Sequence, residues 1–184
     1  MCRNKGCAGI DNMSVSDMKP YLVEHWSLVK DDLLTDRYKP QDLKHTEIPK
    51  PDGGLRQLSI PTVLDRLIQQ AMLQIVQDIT DHEFSDSSYG FRPGRSAHTA
   101  IKQVQVYQQE GYEYVVDIDL ARYFDTVSHD RLMSKLYKRI KDQRVLNLIR
   151  GYLNKGVKLQ GERVPQGSPL SPWLSRLHDK NLSI

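Results

Sequence analysis

Apolar residues return at three- and four-residue intervals in five stretches of this chain, the spacing that lines one face of a helix. The first runs from Met18 through Tyr21, Leu22, Trp26, Val29 and Leu33 and predicts one amphipathic helix or two short ones. Ser14 and Asp17 suit its N-cap and acidic first turn. Thr62 caps the second, whose apolar face is Leu64, Leu67, Ile68, Ala71, Met72, Ile75 and Ile79, with Asp65-Arg66 and Gln69-Gln70 on the polar side. The third opens at Ser96, carries Ala97, Ala100, Ile101, Val104 and Tyr107 on one face, and ends before Gly111. A fourth opens at Ser128 or Asp130 and bears Leu132 and Leu136. The fifth runs through Val145, Leu148, Ile149, Tyr152 and Leu153.

Two stretches follow strand logic instead. Residues 45–61 read as strand, tight turn, strand: His45 to Lys50, then Pro51-Asp52-Gly53-Gly54, then Leu55 to Pro61. Asp-Gly and Gly-Gly supply the positive φ angles that a hairpin turn needs. Tyr112 to Leu120 holds the apolar run Val115, Val116, Ile118 and Leu120, and predicts a buried strand covered on both faces. Asp117 and Asp119, two apart, point to one side of such a strand. A carboxylate at the end of a buried strand is costly unless paired or bound to a metal. The same aspartates also suit a loop, or the cap of the helix near Ser128.

Composition narrows the class. Across 184 residues the charged fraction is 27% and the hydrophobic fraction 39%, as in one globular domain or a domain with a lobe. No apolar run approaches the ~20 residues that cross a bilayer. Met1 to Gly6 has no apolar core of a signal peptide, so the cytoplasm is the expected location. Cys2 and Cys7 have no partners at zinc-ligand spacing and are expected to be reduced thiols. The formal charge of +3 permits nucleic-acid binding without demonstrating it.

Three segments carry candidate chemistry. Lys50 and Arg56 on the two arms of the hairpin offer a mobile point charge and a forked donor set for a polyphosphate, although such pairs are more often simply solvated. Phe84 to Ser96 breaks all periodicity and mixes turn formers with Tyr89, Phe91, Arg92 and Arg95. Aromatic faces stack on bases and arginines meet phosphates, while a generic loop pinned by its two aromatics fits equally. Val164 to Pro172 is a Pro/Gly/Ser loop in which Gly167 allows close backbone approach. Lys135, Lys138, Arg139, Lys141 and Arg144 form the densest cationic cluster, as readily a solvated face as an RNA contact.

Taken together, these strings resemble group II intron reverse transcriptases. Ile48-Pro49-Lys50-Pro51-Asp52-Gly53-Gly54-Leu55-Arg56-Gln57-Leu58-Ser59-Ile60-Pro61 is similar to that family's fingers hairpin, and Asp65-Arg66 with Gln69-Gln70 to its Asp-Arg-x-x-Gln segment. Ser88-Tyr89-Gly90-Phe91-Arg92-Pro93-Gly94-Arg95-Ser96 resembles a signature of bacterial retroelement polymerases. Asp119 and Asp125, six apart, with Val127 to Leu132, resemble the first catalytic motif. Pro165-Gln166-Gly167-Ser168-Pro169-Leu170-Ser171-Pro172 resembles the second palm motif, and residues 4–33 the extra N-terminal motif.

The resemblance implies an α+β fold, with a helix-rich fingers lobe bearing the hairpin over residues 1–111 and part of a right-hand palm over 112–184. It implies Asp119 as catalytic residue and, with the Leu120 carbonyl, as ligand to Mg²⁺. Lys50 and Arg56 would bind the triphosphate, Gln166 would sense the nascent base pair, and Phe124, with Tyr123 as fallback, would exclude a ribose 2′-OH. Arg66, Gln70, Arg92 and Arg95 would contact RNA. Partners are then the intron or template RNA, a primer strand and deoxynucleoside triphosphates, with no membrane. The family's downstream aromatic-x-Asp-Asp turn has no counterpart, since the sole Asp-Asp pair is Asp31-Asp32. An incomplete Mg²⁺ site and an inactive isolated chain are therefore expected, and an open strand edge predicts dimerisation or partial disorder of the residues after Ser175. The alternative is a non-catalytic RNA-binding or dimerising module.

Overall fold

The computed structural model describes residues 6–51, 53–120, 123–157 and 164–178. Among these residues, seven α-helices and one hairpin follow in chain order: α1 (Met18–Leu34), β1 (Lys44–Pro49), β2 (Leu55–Ile60), α2 (Val63–Thr80), α3 (Ala97–Gln109), α4 (Tyr123–Thr126), α5 (His129–Tyr137), α6 (Gln143–Lys155) and α7 (Ser171–His178). Residues 81–83 extend α2 by a 3₁₀ turn.

The helix starts are set by short polar side chains. The Thr62 hydroxyl accepts from the Asp65 amide at 3.1 Å, Ser128 from the Arg131 amide at 3.4 Å, and Ser96 shares a reciprocal capping box with Thr99. The N-terminal periodicity resolves into one helix, with Asp17 at the cap position and its carboxylate accepting from the Ser14 hydroxyl at 2.6 Å.

β1 and β2 pair antiparallel, with Ile48 opposite Arg56 and Glu47 opposite Gln57. The turn closes through the Lys50 amide on the Gly54 carbonyl (2.7 Å) and the Gly53 amide on the Lys50 carbonyl (3.1 Å). Gly53 has φ +85°, a conformation that a Cβ would strain.

One apolar core joins α2 to α5, α6 and α7. Val63, Leu64, Ile68 and Val76 meet Leu132, Leu136, Ile149, Leu153, Trp173 and Leu177 in a continuous cluster. Trp173, fully buried, donates its indole N–H to Thr80 Oγ1 at 2.9 Å and so ties α7 to the end of α2. Gly9 lies against the start of α2, where an added Cβ would sit 2.6 Å from the Thr62 Cα.

The expected buried strand over Tyr112–Leu120 does not form. These residues have no regular secondary structure, and Val115 and Val116 are 87% and 81% exposed. A strand exists only through its ladder, and among the described residues the one sheet is β1–β2. Apolar content alone therefore leaves the segment unpaired. The α3 helix buries none of its residues either, and its Ile101–Val104 face is open. The described architecture is mostly helical with one hairpin.

A second correction concerns α2. Asp65 and Gln69, expected on its polar side, are buried, whereas Ile75 and Ile79 are exposed.

Candidate functional site

The hairpin and the Pro-Gln-Gly loop meet. Arg56 Nε donates to Gln166 Oε1 at 3.2 Å, and the Ser59 amide donates to the Gln166 carbonyl at 2.8 Å. Gly167 follows at φ +111°, with a Cβ there falling 3.1 Å from the Ser59 carbonyl oxygen. The glycine is thus required twice, by its backbone angle and by the approach of β2. Below the loop the Ser168 hydroxyl donates to the side-chain oxygen of Gln69, both residues buried, and the Ser171 hydroxyl donates to the Pro165 carbonyl.

The turn after the unpaired segment joins the same assembly. The Val164 amide donates to the Phe124 carbonyl at 2.9 Å, and the Tyr123 hydroxyl to the Ser175 carbonyl at 2.8 Å on α7. The Tyr123 and Phe124 rings pack edge to face, 5.8 Å apart. Arg56, Gln166, Tyr123 and Phe124 are therefore linked through β2, the Pro-Gln-Gly loop and α4. Lys50 stands exposed at the hairpin turn. Asp119 and Leu120 lie on the exposed segment without regular structure.

The metal expectation can be set against these donors. Among the described residues no three His, Cys, Asp or Glu side chains gather closely enough to hold an ion. The donors that the sequence singled out are one carboxylate, Asp119, and the Leu120 carbonyl. That set suits a hard cation completing its shell with phosphate oxygens and water, as Mg²⁺ does, and does not suit a pair of ions.

The four expected RNA contacts divide. Arg92 is an internal staple: its side chain is 4% exposed, and its guanidinium makes five hydrogen bonds, to the Asp81 carboxylate and carbonyl and to the Ser85 and Ser88 carbonyls. In this arrangement it has little left to offer a phosphate. Asp81 is held below the usual carboxylate range, first by its hydrogen bonds from Arg92. Arg95 is more open. It pairs with the exposed Asp86 at 2.8 Å, and its guanidinium lies 5.3 Å from the Tyr89 ring centre. Arg66 is half-buried and donates to the Cys7 carbonyl at 2.6 Å, which anchors the N-terminal lead-in, and Gln70 is half-buried on α2.

The cationic cluster is largely spent within the fold. Arg139 grips Glu83 through Nε and Nη2, Arg144 pairs with Asp142, and Lys135 donates to the Leu177 carbonyl. Lys138, Lys141 and Arg144 are exposed and keep the character of a solvated face.

Sequence reasoning overlooked a buried polar centre. The Asp65 carboxylate accepts from the Tyr38 hydroxyl (2.9 Å), the Gln41 amide (3.1 Å), the Thr62 hydroxyl (2.8 Å) and the Tyr152 hydroxyl (3.2 Å). Burial pushes its pKa up, against the pull of those donors. Tyr38 and Tyr152 are pushed up by burial and then by the Asp65 charge. The Thr62-x-x-Asp65 spacing, with the acid at the third helical position, was the available clue.

Comparison with known proteins completes the description. Residues 48–182 match the family described as Reverse transcriptase (RNA-dependent DNA polymerase). The chain is 36% identical over 179 residues to Protein YkfC of Escherichia coli strain K12, covering 92% of this chain and 47% of that protein. It is 34% identical over 148 residues to Group II intron-encoded protein LtrA of Lactococcus lactis subsp. cremoris, covering 77% and 24%. Nuclear intron maturase 1, mitochondrial, of Arabidopsis thaliana is 35% identical over 104 residues, covering 56% and 14%. The chain thus spans about half the length of the first of these relatives and a quarter or less of the others.

Proposed function

The chain belongs to the reverse transcriptase (RNA-dependent DNA polymerase) family, and from that premise we propose that it forms the triphosphate- and template-gripping part of a group II intron-type RNA-directed DNA polymerase. The supporting observation is the contact of Arg56 with Gln166 at 3.2 Å, which sets a forked cation beside a side-chain amide on a loop held by buried hydrogen bonds. Residues 1–111 act as fingers and 112–184 as part of the palm.

Each side chain then has a task that its chemistry suits. Arg56 and Lys50 bind the phosphates of an incoming deoxynucleoside triphosphate, Arg as a directional fork and Lys as a mobile charge. Gln166 lies against the nascent base pair, with the Gln69–Ser168 hydrogen bond fixing its loop from below. Phe124, backed edge to face by Tyr123, closes the sugar side and rejects a ribose 2′-OH by bulk. Arg95, Gln70 and Arg66 track the template backbone. Asp119 with the Leu120 carbonyl would hold Mg²⁺, which when bound offsets the charge of the triphosphate and orients it for in-line attack.

These 184 residues grip substrate without completing the transfer themselves, because one carboxylate does not hold the two ions, about 3.5–4 Å apart, that such a displacement uses. The test mixes the chain with an RNA template, an annealed DNA primer, Mg²⁺ and a fluorescent deoxynucleoside triphosphate. Saturable binding without primer extension is expected. Robust extension would refute the incapacity, and no binding would refute the grip.

One observation favours a second reading, a non-catalytic RNA-binding or dimerising module. The exposed apolar segment Tyr112–Leu120 leaves backbone donors and acceptors for a strand of a second copy. A monomeric mass in solution scattering at high concentration would remove it.

A further inference from the structure

We propose that Phe91 is a stacking platform for one unpaired nucleobase of single-stranded RNA; the inference rests on the template-gripping reading above. Phe91 has φ +54°, in the left-handed region that bulky L-residues seldom enter, and the residue is 77% exposed. Glycines stand nearby at 90 and 94, so the loop has residues suited to a plain turn, yet a phenylalanine occupies this strained position. Such outliers persist only where the surroundings over-determine them.

The surroundings do so here. The Phe91 carbonyl accepts from Arg176 Nη2 on α7 at 2.9 Å and from Gln77 Nε2 on α2 at 3.2 Å. The next residue, Arg92, is locked by its bonds to Asp81, Ser85 and Ser88. Phe84 lies between two guanidiniums, 4.8 Å from Arg176 and 5.8 Å from Arg92. A backbone clamped from two helices thus presents an apolar ring to water on a rigid base.

Charge decides which partner fits. Of the arginines held in or against this loop, Arg92 is spent on Asp81, Ser85 and Ser88 and Arg176 on the Phe91 and Pro172 carbonyls, which leaves Arg95 as the cation open to a phosphate. Arg95 donates to the Asp86 carbonyl and forms its ion pair with the fully exposed Asp86 carboxylate, a weak partner that a phosphate can replace. A flat uncharged face carried on a phosphate chain satisfies both the ring and Arg95, and that is a nucleobase in a single strand. An apolar protein side chain would cover the ring and leave Arg95 unused.

The experiment measures binding of the 184-residue chain to a fluorescein-labelled twelve-residue oligouridylate and to an abasic strand of the same length, by anisotropy at low salt. Phe91→Ala and Phe91→Leu should each weaken oligouridylate binding by about fivefold to a hundredfold, the span expected for one stacked base. Binding to the abasic strand should change less than twofold, and Phe91→Trp should keep wild-type affinity. Equal losses on both strands, or less than a twofold loss for Phe91→Leu on oligouridylate, would overturn the platform while leaving backbone gripping intact. Wild-type chain that binds neither strand would overturn both.

Discussion

Arg56 and Gln166 lie 110 positions apart in the chain and meet side chain to side chain at 3.2 Å. The meeting depends on the Gln166 carbonyl accepting from the Ser59 amide and on Gly167 having no Cβ to hold β2 off. A hairpin whose own residues bury little is thereby docked onto a loop fixed to the core by Ser168 and Ser171.

Replacing Arg56 tests the grip. Arg56→Ala should weaken triphosphate binding by roughly tenfold to a hundredfold, the worth of charge-assisted hydrogen bonds at ~1.5–3 kcal/mol. Arg56→Lys should recover only part of this, because an ammonium lacks the fork that reaches Gln166. Titration with a fluorescent deoxynucleoside triphosphate checks both.

Gly167→Ala should destabilise the fold by about 1–3 kcal/mol, since its φ of +111° is strained for alanine. The added methyl also crowds the Ser59 carbonyl. The urea midpoint is the measurement, and weaker triphosphate binding should accompany the loss.

Arg92→Ala should cost about 2–4 kcal/mol, because it strips a buried hydrogen-bonded cation and leaves its acceptors unmet. Limited proteolysis should then cut within residues 84–96 at a rate well above wild type. A loop cut no faster than wild type would show that the staple contributes little.

Asp65 links stability to acidity. Its folded pKa is raised above the ordinary 3.8, first by burial, so the folded state binds more protons than the unfolded one between 3.8 and the raised value. Over that window stability falls as pH rises, and below it the contribution is fully present. Asp142, held down to about 2 by Arg144, works the other way and loses its contribution as pH drops below the ordinary range. Urea midpoints of wild type and Asp65→Asn should therefore diverge in favour of wild type as pH is lowered toward 4. A difference independent of pH would contradict the raised pKa.

Local chemistry was legible where a few neighbouring residues decide the outcome. The hairpin turn at Gly53-Gly54 and the caps at Thr62, Ser96 and Ser128 needed no distant partner, and they appear at or within a residue or two of their expected places. Tyr112–Leu120 was misread because a strand is a relation between two segments and its own composition supplies only half of it. Asp65 and Gln69 escaped because helical periodicity assigns polar residues to water, whereas Tyr38, Tyr152 and Ser168 reach them from distant parts of the chain. The motif string at Ser88–Ser96 does not separate Arg92, whose side chain is buried, from its exposed neighbour Phe91, because side-chain direction in an irregular loop is set by distant partners such as Asp81 and Arg176.

The most direct test of the nucleotide cradle is a two-dimensional amide NMR titration of the isotope-labelled chain with a deoxynucleoside triphosphate and Mg²⁺. Saturable shifts should cluster at Lys50, Arg56, Ser59, Gln166 and Gly167, and should vanish in Arg56→Ala. Shifts confined to other surfaces, or unchanged by that substitution, would contradict the account.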